Sequence, residues 1–162
     1  MANRQLTQKR NHTGDLKLAI AEFDLTSLNP VGSSDVVKSG VYIPEGSLIT
    51  RAWYHVHTTL TGGGGDAATP KLGLTSDDDE FVAAIAISAA GDIWDQGARG
   101  TLITPIMATV SGDTAILAAA RNSACMVQTT VDDEIILTNG TNTITAGKLT
   151  VYVEYVQTGL LA

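Results

Sequence analysis

Leu48 to Leu60 alternates two sets of side chains without a break: Leu48, Thr50, Ala52, Tyr54, Val56, Thr58 and Leu60 on one side, Ile49, Arg51, Trp53, His55, His57 and Thr59 on the other. Successive side chains of an extended backbone point to opposite faces, so this period of two, in β-branched and aromatic residues, specifies a long strand. Pro44-Glu45-Gly46 begins it with a turn. Thr61 to Pro70, which holds four consecutive glycines, ends it with a loop. Lys71 to Thr75 reads as a shorter strand running back beside the first. Such a hairpin belongs to an antiparallel sheet and argues against a nucleotide-binding α/β fold.

The rest of the chain carries the same signature. Leu16, Leu18 and Ile20 alternate with Lys17, Ala19 and Ala21, and Phe23 and Leu25 follow after a one-residue slip, which predicts a first strand with a bulge. Asn29 to Ser34 is a loop, and Val36-Val37 opens a second strand. Asp77-Asp78-Asp79-Glu80 ahead of Phe81–Gly91 predicts a short helix, with an Asp cap, acids in the first turn and a glycine stop. Phe81, Ala83, Ile85 and Ile87 would also share one face of a strand; the alanine content and the cap favour the helix. Asp92 to Gly97 is a turn-rich loop carrying Trp94. Thr101–Val110, Ala115–Ala120 and Cys125–Val131 are weaker strands. Ile135–Thr138 runs into Asn139-Gly140, the strongest short hairpin signal, and Thr143–Thr145 leads through Ala146-Gly147 to Lys148–Val156. There Leu149, Val151, Val153 and Tyr155 line one face. Many short strands with regular turns predict an all-β fold, an antiparallel jelly-roll-like sandwich with one short helix. Residues 1–15 form an extended N-terminal arm and residues 16–162 a single β-sandwich domain.

Composition narrows the function. A chain of 162 residues that is 44% hydrophobic can bury a core, yet only 5% is aromatic. Small side chains make that core thin, which favours a sandwich or subunits that share burial. Residues 1–17 hold four basic side chains (Arg4, Lys9, Arg10, Lys17) against Asp15 alone, while the remainder holds six basic and sixteen acidic groups. So acidic a body does not bind nucleic acid over its face, because phosphate contacts need clustered Lys and Arg. The basic leader suits an anionic surface. A lone cysteine, Cys125, excludes an internal disulfide and a cysteine-built zinc site, and reads as a small buried residue. The longest apolar run, Phe81–Ile87, is too short to cross a bilayer, and the polar N-terminus predicts no secretory signal.

Candidate chemistry is sparse. Gly62-Gly63-Gly64-Gly65 is followed by Asp66-Ala67-Ala68-Thr69-Pro70 and lacks the Gly-Lys-Ser/Thr of a phosphate loop, so it reads as a hairpin tip. His55 and His57, two apart on a strand, project to one side as metal-binding pairs do. A site would need a further ligand, and His12 lies in the arm, so a polar face or subunit contact is the simpler reading. Asp77–Glu80 lacks calcium-loop spacing, and Asp132-Asp133-Glu134 reads as a charged turn before a strand. There is no Gly-x-Ser-x-Gly, no signature around Cys125 and little aromatic lining for a sugar cleft. The expectation is no enzyme, no cofactor and no metal.

Several stretches act as a set: Gly40-Val41-Tyr42-Ile43-Pro44 running into SLITRAWYHVHTTL, then TPKLGLTS, the Trp94-Asp95-Gln96-Gly97 loop after FVAAIAISAAG, and the closing ITAGKLTVYVEYV. With these, Val36 to Gln157 resembles a family of small virion structural proteins of tailed bacteriophages, similar to head decoration or cement proteins. The resemblance implies a jelly-roll-like body, often trimeric, on the outside of the capsid, with an N-terminal arm that grips the major capsid protein. It brings no catalytic residues. The arm lies outside the matching stretch; its charge makes Arg4, Leu6, Lys9 and Arg10 the expected shell contacts. Trp53, His55 and His57 are the expected contacts between subunits of a homo-oligomer. The rivals are a receptor- or glycan-binding module using Trp53 and Trp94, and a metal enzyme using His55 and His57.

Overall fold

The computed structural model describes residues 15–28, 30–89, 91, 93–103 and 127–157. Its strands are β1 (Leu16–Asp24), β2 (Val36–Ile43), β3 (Ser47–Gly62), β4 (Pro70–Leu74), β5 (Arg99–Ile103), β6 (Val127–Gln128), β7 (Asp133–Asn139) and β8 (Ile144–Gln157). One sheet runs β1-β8-β3-β5, with β6 also on β3, and the other runs β2-β7-β4. All pairings are antiparallel. From β1 to β5 the chain alternates between the two sheets, and it does so again from β6 to β8. The protein is all-β and jelly-roll-like, as its alternation predicts.

That crossing corrects two expected hairpins. β4 does not return beside β3; it pairs with β7, Pro70 opposite Asn139 through Leu74 opposite Ile135, in the facing sheet. Nor does Asn139-Gly140 join neighbours, since β7 and β8 lie in different sheets. The Asn139 side-chain amide instead donates to the carbonyls of Val31, Gly32 and Asn142 at 3.3, 2.9 and 2.7 Å, so the residue clamps a corner. The left-handed residue of this corner is Asn142 (φ 54°), outside the Asn-Gly pair.

β3 spans the predicted strand, but its alternation is broken by the partner strand. Against β8 the register shifts between Ile49 and Arg51 and again between Val56 and Thr58. The first shift brings Ile49 inward and still leaves Ala52, Tyr54 and Val56 facing the core, each almost fully buried. In β1 the outcome is reversed. Its register with β8 is regular from Leu16 opposite Val156 to Asp24 opposite Lys148, with no bulge. Ala19, Ala21 and Phe23 therefore face inward, and the larger Leu16, Leu18 and Ile20 stand outside at 60%, 51% and 46% exposure.

The helix expected after Asp77–Glu80 does not form. Phe81 and Val82 both donate to the Leu72 carbonyl (3.0 and 2.9 Å), and Val82 returns its carbonyl to Leu72 N at 3.1 Å. Burial of Phe81 and Val82 against β4 outweighs local helix propensity, leaving only a 3₁₀ turn at Ile87–Ala89. Gly73 permits the close approach, since a Cβ there would lie 2.7 Å from the Asp78 carbonyl oxygen. The short helical element sits instead at Gly63–Asp66 (α1), where Gly64 and Gly65 are left-handed. Asp133 and Glu134, expected in a charged turn, are buried in β7. Asp133 accepts from Ser76 N at 2.9 Å and from the Ser76 hydroxyl; Glu134 accepts from Gly40 N at 2.8 Å. Each carboxylate thus holds a backbone irregularity of a neighbouring strand, which a turn would not require.

The core lies between the sheets around Phe23, Leu60, Leu72, Phe81, Trp94 and Leu137. Most of residues 1–15, Cys125 and the strands expected over 104–126 fall outside the described residues.

Candidate functional site

The outer face of the first sheet collects the distinctive side chains. Cross-strand partners of an antiparallel pair project to the same side. Arg51 on β3 is opposite Glu154 on β8, Trp53 opposite Tyr152, and His55 opposite Thr150 and, on β5, Arg99. On the far side of β8, Leu18 is opposite Glu154 and Ile20 opposite Tyr152. One surface therefore grades from aliphatic on β1, through aromatic, to basic on β3 and β5.

Trp53 stacks on Tyr152 with centroids 5.2 Å apart and planes 7° from parallel, while the Arg51 guanidinium carbon lies 4.8 Å from the Trp53 centroid. The Trp53 ring is thus engaged within the molecule by both Tyr152 and the Arg51 guanidinium. Trp94 is 1% exposed and tilts against Tyr54 in the core, which corrects the expectation of an exposed Trp94. Its neighbour Tyr54 donates its hydroxyl to the Ile93 carbonyl at 3.1 Å, and burial pushes that phenol up to about 12. Trp94 is closed to a sugar by burial, and Trp53 is already engaged by Tyr152 and Arg51.

His55 and His57 do share a side, as their spacing predicts. Their rings meet edge to face at 4.4 Å between centroids, and His57 Nε2 bonds the Thr150 hydroxyl at 2.8 Å. Among the described residues no third histidine, cysteine or carboxylate closes on the pair; the group of three such donors is Asp77, Asp78 and Asp79, within 4.8 Å of one another. That group is a surface turn in which Asp78 pairs with Lys71 at 2.5 Å. A groove of about 310 Å³ beside β2, lined by Leu28, Pro30 and Val36 with Asp35 and Lys38, is open and holds no serine, cysteine or histidine. Among the described residues no helix is long and apolar enough to cross a membrane.

Desolvation, then the charge of Arg99, then His57, hold the His55 imidazole below its ordinary value of 6.5. The sign follows. The unfolded chain takes up its proton first, so His55 lowers stability as pH falls through the ordinary histidine range. An NMR titration is expected to place the His55 midpoint below 6.5, and Arg99→Gln to move it upward. An unchanged midpoint in that variant would remove Arg99 from the pair's surroundings.

Sequence reasoning placed Trp53, His55 and His57 on one face, and the structure agrees. It missed Arg99 and Tyr152, which reach that face only through strand pairing, and it left Arg51 unassigned. Arg4, Leu6, Lys9 and Arg10 lie outside the described residues.

No protein-family model matches this chain, and no curated protein matches its sequence. Its fold is similar to solved chains. A chain of the cyanophage Pam1 capsid asymmetric unit aligns with a TM-score of 0.58 at 14% identity, over 95% of this chain and 93% of that one. A chain of the acid-stable capsid of Helicobacter pylori bacteriophage KHP30 gives 0.54 at 14% identity, over 89% of each. A chain of the Ralstonia phage GP4 capsid gives 0.54 at 15% identity, over 96% and 92%. At these identities the likeness is one of fold.

Proposed function

We propose that the chain is a structural protein of a phage virion, of the decoration or cement type, bound to the outside of the head shell. The observation that carries this reading is the extent of the fold match. The two-sheet body corresponds over nearly its whole length to a chain of a phage capsid, which supports assembly with capsid components. The site geometry supports a non-enzymatic role, because its distinctive side chains lie on an open sheet face. In this reading residues 1–15 are an arm and residues 16–162 one β-sandwich body. Arg4, Lys9 and Arg10 pair with acids of the major capsid protein, and Leu6 supplies an apolar anchor. Trp53, His55 and His57 belong to the face through which bodies meet in a homo-oligomer, a trimer by resemblance. Many weak contacts then hold the shell together, and rupture must break several at once.

Deletion of residues 2–13 tests the arm. Occupancy of shells lacking the protein is expected to fall at least about tenfold, since several charge contacts are lost together, while the melting curve of the body is unchanged. Full occupancy by the truncated protein would remove the arm's role. A receptor- or glycan-binding reading finds no support in Trp94, which is buried, and Trp53 is already engaged by Tyr152 and Arg51.

A further inference from the structure

Every lysine among the described residues is engaged. Lys38 meets Glu134 at 3.9 Å, Lys71 meets Asp78 at 2.5 Å, Lys148 meets Asp24 at 2.7 Å, and Lys17 donates to Gln157 at 3.0 Å. The two described arginines differ. Arg51 and Arg99 form no ion pair with any described residue, and strand pairing puts both on the face of His55 and His57. Among the described residues, this acidic chain thus leaves its two guanidinium groups without an ion pair on one sheet face. Guanidinium binds carboxylate through two parallel hydrogen bonds, so such groups are poised for an anionic partner.

The same face is apolar along β1. A strand with one buried face normally puts its larger side chains inward, yet here Ala19 and Ala21 point in while Leu18 and Ile20 point out. These leucine and isoleucine side chains adjoin the Trp53–Tyr152 stack through β8. Nucleic acid calls for many clustered cations, which this acidic chain does not gather on the face, and the Trp53 ring that a base or sugar would stack on is already engaged by Tyr152 and Arg51. A polypeptide needs only aliphatic contact beside charge complementarity.

We infer that the outer face of the β1-β8-β3-β5 sheet docks an acidic polypeptide segment, whose carboxylates engage Arg51 and Arg99 and whose apolar side chains cover Leu18 and Ile20. The inference rests on the reading of this face as an interface and adds the chemistry of what it meets. His55 lies opposite Arg99, its ring against that of His57, and gains positive charge as pH falls. The other charged groups there are Glu154 on β8, opposite Arg51 and Leu18, Glu22 on β1, opposite Thr150, and the Asp24–Lys148 ion pair between the same two strands. Docking should therefore tighten between pH 7.5 and pH 5.5 and weaken with salt.

The test uses the full chain in solution, so its failure leaves the shell-occupancy result standing on its own. The probe is a fluorescein-labelled peptide of alternating glutamate and leucine, read by anisotropy; the controls are its lysine–leucine counterpart, a single-stranded DNA oligonucleotide and heparin. The acidic peptide is expected to bind, to bind severalfold tighter at pH 5.5, and to lose at least tenfold in affinity with Arg51→Glu/Arg99→Glu. Lys17→Glu, on the same sheet, should change it by less than twofold. Equal binding by the double variant would overturn the proposal, as would tighter binding of DNA or heparin. An oligomer that the double variant dissociates would agree with the proposal, the acidic segment then being a neighbouring copy's; an oligomer that it leaves intact, with no peptide binding, would overturn it. Matching thermal melts of the variants exclude misfolding as the cause.

Discussion

Trp94→Ala is expected to cost about 3–5 kcal/mol, the range for deleting a large buried aromatic side chain. Trp94 is 1% exposed, packs at 6.1 Å from Tyr54, and its carbonyl accepts from Leu60 N at 3.0 Å on β3. The loop that carries it is bound to the same strand: Gln96 N donates to Thr59 Oγ1 at 2.9 Å, and Gly97 N to Val56 O at 2.8 Å. Truncation opens a cavity under β3 that these backbone bonds prevent from collapsing. Against a total stability of about 5–15 kcal/mol, such a loss leaves the chain marginal at 37 °C. Trp94→Phe keeps a ring in the pocket and should cost roughly 1–2 kcal/mol. Its Nε1 has no hydrogen-bond partner among the described residues, so the substitution breaks no described bond. Denaturant midpoints of the two variants, measured with an unchanged m-value, check the order. A midpoint for Trp94→Ala equal to that of the parent would put the ring outside the core and restore it as a candidate ligand contact.

Trp94 shows where the sequence stops being informative. Its neighbours, aspartates and glycine in a turn-rich loop, are surface chemistry, and nothing local reveals that β3 draws the ring inward. What was legible follows from the period of two, which a strand imposes on its own residues. Each described strand overlaps a stretch read from alternation or composition, though β5 shares only residues 101–103 with the strand expected there and β8 joins two stretches. Sheet membership was not legible, because Asn139-Gly140 and Thr61–Pro70 turn the chain equally well into a neighbouring strand or across the sandwich. Burial decides: Leu72 and Leu74 on β4 face the same core as Ile135 and Leu137 on β7. The orientation of β1 was hidden for a related reason, since apolar residues stood on both faces, Leu18 and Ile20 against Ala19 and Ala21, and only the pairing with β8 selects the alanines for the inside. For the candidate face, spacing alone joined Trp53, His55 and His57, whereas Arg99 lies 44 residues beyond His55 in the chain and reaches it through register.

Asn139→Asp should be the more revealing substitution, because its cost depends on pH. The wild-type side chain is fully buried and donates through Nδ2 to three carbonyl oxygens, at 3.3, 2.9 and 2.7 Å. Its backbone is engaged too, N donating to Asp35 O at 3.0 Å and O accepting from Ser34 N at 2.6 Å. An aspartate of the same shape turns that donor into an oxygen facing three oxygens. Ionised, it is a buried charge without a partner, a change that costs about 3–5 kcal/mol. Protonated, it can still donate one hydrogen bond, so part of the clamp returns. The folded-state pKa of the new carboxyl must therefore lie above its unfolded value of about 3.9. Stability conferred by the protonated form is present below that unfolded value and is lost as pH rises through the folded one. Denaturation of the variant at pH 4 and pH 7.5 should consequently show a smaller deficit relative to the parent at the acid end. Asn139→Ala removes the donor without introducing a charge and should show a deficit that barely changes with pH. Equal deficits for the two variants at both pH values would mean that the corner between the sheets holds without this amide, and that another contact fixes the crossing.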